Sequence, residues 1–134
     1  VASGQRIQCL TGHNGPVFSV AFSPDGQTLA SVGADKTLRF WSVRTRKEIE
    51  QFRGHKRPIH GVAFHSKSPH VSAVDMRGVI VSWSIPDHQI VAKSPQTRAG
   101  RVFRLTLSPN GRSLATAGPD LAVNLLRVVQ NTNR

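Results

Sequence analysis

Short runs of β-branched and aromatic residues alternate with turn-forming residues along the whole chain. The run "VFSVAF" ends at "SPDG", which has proline and glycine at the positions that a type I turn favours. It is followed by the run "QTLASV", the turn "GADK", the run "TLRFWSV", the loop "RTRK" and the run "EIEQF". No segment shows helical periodicity. The pattern predicts an all-β fold made of units of four antiparallel strands.

The predicted unit occurs three times. A shift of 42 residues places Gly12 and His13 on Gly54 and His55, and it places "VAF" at 20–22 on "VAF" at 62–64. A further shift of 43 residues leads to a third copy, in which "LSPNGRSLATAG" at 107–118 matches "FSPDGQTLASVG" at 22–33 in the first. Repeats of this length stack side by side, because no single unit buries its apolar face alone. We expect repeat units at 6–43, 48–85 and 88–128, with a tail at 129–134.

These units resemble the WD-repeat β-propeller family. The resemblance rests on a Gly-His pair whose histidine lies 28 residues before a tryptophan, on "SPDG", and on an aspartate six residues before that tryptophan. It covers residues 6–128 and is most specific in the first unit. The resemblance implies four-stranded blades around a channel. Because propellers typically close with four to eight blades, we expect here an incomplete, open propeller of about three blades.

The resemblance also implies a hydrogen-bonded tetrad within each blade. In the first unit the structural tetrad would consist of His13, Ser31, Asp35 and Trp41. A carboxylate and a hydroxyl would satisfy both nitrogens of a buried imidazole, and the indole N–H would gain an acceptor. A His–Asp–Ser trio could also suggest a hydrolase triad. Recurrence at the spacing of the blades favours the structural interpretation.

The other two units keep only parts of this tetrad. The members retained in these partial tetrads are His55, Trp83, Thr116 and Asp120. In the second unit, Ala73 and Arg77 stand at the serine and aspartate positions. Asp75 lies two positions early, and we expect it to reach the histidine only if the turn is rearranged. In the third unit, Arg98 stands at the histidine position and Leu126 at the tryptophan position, so we expect both units to be softer than the first.

Positive charge is the outstanding feature of the composition. Eighteen Lys and Arg against seven Asp and Glu give a formal net charge of +11, which attracts polyanions or acidic protein surfaces. The resemblance implies that the loops before the first strand and between the second and third strands form one rim of the channel. The candidate binding residues on that rim are Lys36, Lys56, Arg57, Arg77, Arg98 and Arg101. Further basic residues are expected on the opposite rim, namely Arg44, Arg46, Lys47, Lys67 and Arg112.

Four histidines at intervals of five residues raise the question of a metal site. They are His55, His60, His65 and His70. Successive residues of a strand point to opposite faces, so two histidines five positions apart on a regular strand cannot both face one metal ion. We therefore expect no metal site. No phosphate loop, nucleophile elbow or zinc motif is present, so we expect neither catalysis nor a cofactor. The few aromatic residues are assigned to strands, which argues against stacking on nucleic-acid bases.

We therefore expect a non-catalytic protein-interaction scaffold that forms part of a larger propeller in a multi-subunit assembly. The alternative is an RNA-contacting propeller subunit of a ribonucleoprotein that uses the basic rim. The expected partners are other protein subunits or the remaining blades of the same protein, with an acidic or phosphorylated peptide or RNA on the rim. We expect no membrane partner, because no long apolar run occurs.

The start of the sequence bears on assembly and compartment. Residues 6–10, "RIQCL", match the fourth-strand position of a blade, yet no blade precedes them. This orphan strand and the missing initiator methionine favour a fragment of a larger propeller, with head-to-tail assembly of copies as the alternative. The lone Cys9 and the absence of an apolar leader favour an intracellular location, cytoplasmic or nuclear.

Overall fold

All regular structure in the described part of the chain is β-strand. The computed structural model describes residues 3–96, 101–119 and 122–128. The first blade contains β1 (Val17–Phe22), β2 (Thr28–Gly33), β3 (Leu38–Ser42) and β4 (Glu48–Phe52). The second contains β5 (Ile59–Phe64), β6 (His70–Asp75), β7 (Ile80–Ser84) and β8 (Gln89–Lys93). The third contains β9 (Arg104–Leu107), β10 (Ser113–Ala117) and β11 (Val123–Arg127).

Each blade is a separate antiparallel sheet whose strands pair in chain order. Two four-stranded sheets and one three-stranded sheet lie side by side, and the described strands do not close into a ring. The predicted all-β fold and the open propeller of about three blades are confirmed. Among the described residues, no helix is long and apolar enough to cross a membrane.

Most of the predicted strands form where the pattern places them. The runs "VFSVAF" and "EIEQF" coincide with β1 and β4. One prediction is wrong, because residues 6–10 lie in no strand. A fourth strand needs the third strand of a neighbouring blade for its backbone hydrogen bonds, and the described residues supply no such neighbour before the first blade.

The turn between the first two strands has the same internal hydrogen bonds in the first and third blades. Gly26 and Gly111 have φ of +71° and +70°, a conformation that glycine adopts without steric cost. Their N–H groups donate to the carbonyl three residues earlier, at 2.9 Å and 2.8 Å. The side chains of Asp25 and Asn110 each accept the hydroxyl of a serine two residues earlier, at 2.6 Å and 2.7 Å. Each also accepts the N–H two residues later, at 2.9 Å and 3.0 Å.

Apolar side chains fill the two seams between the blades. The seam between the first and second blades buries Ala30, Val32, Leu38, Phe40, Phe52, Ile59, Val62, Val71, Ala73, Val81 and Trp83. The seam between the second and third blades buries Val74, Val102, Leu105 and Leu114. Burial of a large aliphatic or aromatic side chain contributes about 1.5–3 kcal/mol, so the two seams supply most of the favourable free energy of folding.

Apolar side chains are also exposed on the two outermost sheet faces. The first end face, formed by Val20 and Phe22 of β1, points away from the second blade, and Phe22 is 62% exposed. The last end face, formed by Val123 and Leu125 of β11, points away from the second blade on the other side, and Leu125 is 73% exposed. The described residues therefore form an open arc in which no described residue covers the apolar face at either end.

A pair of leucines tests whether the seams carry the stability. Replacement of the fully buried Leu38 by alanine is expected to lower the free energy of unfolding by about 2–5 kcal/mol, because it leaves a cavity in the seam. The matched change at the exposed Leu125 is expected to cost less than about 0.5 kcal/mol. Urea unfolding followed by circular dichroism measures both, and equal losses would contradict the assignment of the core.

Candidate functional site

The four side chains of the first-blade tetrad lie within hydrogen-bonding distance of one another. The imidazole of His13 is 2.9 Å from Asp35 through Nδ1 and 2.7 Å from Ser31 through Nε2. The indole N–H of Trp41 donates to the same Ser31 hydroxyl at 2.8 Å. The tetrad thus fastens the loop before β1 to the middle strands of the blade. Every heteroatom of the His13 ring is satisfied, and the serine hydroxyl is held from two sides.

The carboxylate of Asp35 is the electrostatic centre of this tetrad. Burial raises its pKa, but hydrogen bonds from the Asn14 N–H, from His13 and from Thr37 together outweigh burial and lower the pKa to about 2. The Asn14 N–H lies 3.0 Å away and the Thr37 hydroxyl 2.8 Å. The group is therefore ionised at every physiological pH, which suits a fixed structural acceptor rather than a proton-transfer catalyst.

A half-buried ion pair lies beside this tetrad and was not foreseen from the sequence. The guanidinium of Arg39 donates to Glu48 at 2.9 Å and lies 3.6 Å from Asp35. In the second blade the positions 42 residues further on are occupied by Val81 and Ile90. An ionic pair in one blade and an apolar pair in the next fill the same place. The signal in the sequence was an arginine within an otherwise apolar strand run.

Close packing favours glycine before each tetrad histidine. A Cβ on Gly12 would lie 3.0–3.2 Å from atoms of Arg39, Glu48 and Trp41. A Cβ on Gly54 would lie 3.1 Å from Trp83 and from Ile90. The Gly-His pairs of the sequence therefore mark the places where the loop lies directly against the tryptophan of its blade.

The second blade holds its histidine by one weak contact. His55 is fully buried, and its Nδ1 lies 3.4 Å from a carboxylate oxygen of Asp75. Burial lowers the pKa of His55, and the nearby carboxylate offsets this only in part. The Nε2 atom has no hydrogen-bond partner among the described residues. The cause is Ala73, whose methyl group stands where the first blade has the hydroxyl of Ser31.

The expectation that Asp75 needs a rearranged turn to reach His55 is wrong. The turn is the same in both blades: the Lys36 N–H donates to the Gly33 carbonyl at 3.3 Å, and the Gly78 N–H donates to the Asp75 carbonyl at 2.9 Å. Asp75 therefore stands at the end of its strand, and its side chain reaches the histidine from there. Its second carboxylate oxygen accepts backbone N–H groups of the turn.

The described part of the third blade lacks most of the hydrogen-bonded tetrad. Thr116 is buried, and its hydroxyl has no hydrogen-bond partner among the described residues. Leu126, at the tryptophan position, packs against the seam with the second blade. Arg98 and Asp120, which the sequence assigned to the rim and to the tetrad, lie outside the described residues.

Exposed cations lie at one end of the blades, in the loops before the first strand and between the second and third. The residues of this basic rim in the described part of the chain are Lys36, Lys56, Arg57, Arg77 and Arg101, and all five are exposed. The side chains of Asp35 and Asp75 come from the same turns, yet they are buried against histidines. Because both aspartates point away from the surface of the rim, the rim presents positive charge.

Three aromatic rings, two on the inner strands and one directly before β9, form a ladder next to the basic rim. Phe18 stacks on His60 with ring centroids 4.5 Å apart, and His60 lies 5.6 Å from Phe103. Burial, followed by the charge of Arg104, lowers the pKa of His60. The Arg104 guanidinium donates to the Phe18 carbonyl at 2.9 Å, which links the third blade to the first. These rings belong to separate blades, and their contact was not foreseen from the sequence.

Two of the regularly spaced histidines meet. The rings of His65 and His70 are 5.9 Å apart and edge-on, and His65 Nε2 lies 2.8 Å from the Ser72 hydroxyl. Within 3–96, 101–119 and 122–128, no three His, Cys, Asp or Glu side chains come together in a way that could hold a metal ion.

Comparison with known proteins gives one family match. The family described as "WD domain, G-beta repeat" matches residues 4–42 and 46–84. Transcription initiation factor TFIID subunit 5 of Caenorhabditis elegans is 51% identical over 43 residues, which are 32% of this chain and 7% of that protein. The periodic tryptophan protein 2 homolog of Schizosaccharomyces pombe is 32% identical over 87 residues, which are 65% of this chain and 10% of that protein.

A third relative matches a segment of similar length. Eukaryotic translation initiation factor 3 subunit I of Phaeosphaeria nodorum is 47% identical over 45 residues, which are 34% of this chain and 14% of that protein. The aligned segments thus span only 7–14% of these three relatives' own lengths. Their similarity to this chain concerns one or two repeat units and not a whole protein.

Two buried alanines test the incomplete tetrad of the second blade. Replacement of Ala73 by serine is expected to raise the free energy of unfolding by about 1 kcal/mol, because the new hydroxyl lies within reach of His55 Nε2. Serine at the equally buried Ala30 has no orphaned nitrogen to satisfy and is expected to be destabilising. Urea unfolding compares them, and equal effects of the two substitutions would contradict the proposed hydrogen bond.

The low pKa of Asp35 predicts an acid-dependent loss of stability. A carboxyl group whose pKa is about 2 in the folded chain and near 3.8 in the unfolded chain stabilises the fold fully above pH 4. This contribution is lost as the pH falls from about 4 to about 2. Unfolding at pH 5 and at pH 2.5 should therefore differ less in Asp35→Asn than in the parent chain. An unchanged pH dependence in that variant would contradict the assignment.

Proposed function

This chain belongs to the WD-repeat family, and from that premise we propose that it is a non-catalytic interaction scaffold in a multi-subunit assembly. Family matches over more than half of the chain support the scaffold. The names of two relatives, a TFIID subunit and an initiation factor 3 subunit, support the assembly. Because both names are those of transcription or translation factors, we extend the proposal to a nuclear or cytoplasmic location.

The basic rim carries the proposal of a binding surface. Its five described cations come from loops of all three blades, and they are exposed while the aspartates of the same turns are buried. Such a surface fits an acidic or phosphorylated segment of a partner protein, which arginine binds through paired hydrogen bonds. Arg77 fits this role, because Asp75 has taken over the contact with the histidine and leaves the Arg77 side chain free of any tetrad function.

We further propose that additional blades cover the two end faces. The exposed Phe22 and Leu125 stand on sheet faces of the kind that pack against a neighbour elsewhere in the arc. Blades of the same protein are the favoured source, since the relatives are far longer than the segments that match. Head-to-tail contact between two copies of the chain is the alternative.

RNA contact through the basic rim is the second candidate function. It is favoured by the net charge of +11, which would release many counterions from a phosphate backbone. It is disfavoured by the aromatic ladder, whose rings Phe18 and His60 stack on each other rather than standing open for bases.

Paired variants at the two rims test this proposal. The double variant Lys56→Gln/Arg57→Gln is expected to weaken binding of an octaglutamate peptide about three- to tenfold, because each exposed charge contributes up to about 1 kcal/mol. The control is Arg44→Gln/Lys47→Gln, which removes the same charge from the opposite rim and is expected to have little effect. Fluorescence anisotropy measures both, and equal weakening would contradict a localised site.

The same titration with oligouridine separates the two candidate functions. The scaffold proposal predicts that oligouridine of the same charge binds no more tightly than octaglutamate at each salt concentration. Tight oligouridine binding with a steep dependence on salt concentration would instead favour the ribonucleoprotein role.

A further inference from the structure

A large cavity lies at the seam between the first two blades, at the end opposite the basic rim. Its volume is about 700 Å³, and its walls are the β1–β2 turn, strand β4, the β5–β6 turn and the β7–β8 turn. A space of this size accepts a small molecule or a few side chains of a peptide, but not a folded domain. It belongs neither to the tetrads nor to the basic rim.

The floor of the cavity is aromatic and aliphatic. The rings of Phe40 and Phe52 meet edge to face at 5.0 Å, and Phe64 lies 5.9 Å from Phe40. Ile85 continues the floor, and Ile49, which is 57% exposed, lies on the lip. These side chains stand on strands that the seam holds in place, so the apolar floor is preformed.

The walls carry carboxylates in a chain that is strongly basic. Two of the seven acidic residues of the chain, Asp25 and Glu50, line the cavity, together with one lysine, Lys67, and the histidines His65, His70 and His88. Burial, followed by the charge of His70, lowers the pKa of His65, which disfavours a charge on that ring. The two carboxylates of the wall can therefore pair with a cation.

Both carboxylates are positioned by other groups. A single oxygen of Asp25 accepts the Ser23 hydroxyl and the Gln27 N–H, which leaves its second oxygen outside these two bonds. An oxygen of Glu50 lies 3.4 Å from Nδ1 of His88. The His88 ring in turn lies 5.4 Å from Phe52, so the acidic wall and the aromatic floor are in contact.

We propose that this cavity binds a peptide segment in which a lysine or arginine flanks an apolar side chain. The apolar side chain packs on Phe64 and Ile85, and the cation pairs with a carboxylate of the wall, that of Asp25 or that of Glu50. Aromatic rings beside the cation add attraction through their negative faces. The cavity and the basic rim then select ligands of opposite charge, which extends the function proposed above and does not depend on it.

The probe is the tripeptide acetyl-Leu-Arg-Leu-amide, titrated into the full chain by calorimetry and by NMR of the phenylalanine rings. Asp25→Asn and Glu50→Gln are each expected to weaken its binding about two- to fivefold, as for exposed charge pairs. Asp25→Asn preserves the turn, because Asn110 makes the same two hydrogen bonds in the third blade. Circular dichroism of each variant verifies that the fold is retained.

A compensated variant separates a local site from the field of the whole chain. Asp25→Asn combined with Asn110→Asp keeps the net charge and moves one carboxylate to the same turn of the third blade. The proposal predicts that this double variant binds as weakly as Asp25→Asn alone. Recovery of parent affinity would overturn it, and so would equal binding of acetyl-Leu-Glu-Leu-amide or no binding of the arginine peptide at millimolar concentration.

Discussion

Face-to-face packing between neighbouring sheets is the interaction on which the rest of this structure depends. Successive side chains of a strand point to opposite faces, so a sheet with apolar residues on both faces needs a neighbour on each side. The second blade has two neighbours, and both of its faces are buried. The first and third blades each have one, which leaves Phe22 and Leu125 exposed at the ends of the arc. The basic rim and the inter-blade cavity exist only because the seams fix the loops at either end.

Hydrogen bonds and apolar contacts fasten equivalent loops in different ways. Ser31 pairs across the sheet with Val20, so the complete tetrad of the first blade lies on the first end face, where no described blade covers it. The incomplete tetrad of the second blade lies inside a seam, where Trp83 is already buried by packing. Close packing makes the missing hydroxyl tolerable there, although the unpaired His55 nitrogen retains a desolvation cost.

Features that depend on local sequence were predictable, and features that depend on contacts between residues distant in the chain were not. Turn residues and alternation located β1 and β4 to the residue. The strand expected at 6–10 does not form, because a strand depends on a partner and not on its own composition. The ring contact between Phe18 and His60 joins two blades, and the cavity lined by Asp25 and Glu50 lies between two blades. The burial of Arg39 depended on an unforeseen partner, Glu48, on the next strand.

An open arc whose end faces require a cover should associate in solution, and sedimentation velocity of the chain alone measures this. Association is expected to grow with concentration and to be lost when Val20, Phe22 and Leu125 are replaced by serine. A single particle of 14.6 kDa at all concentrations, with backbone amides of β1 and β11 protected from hydrogen exchange, would contradict it.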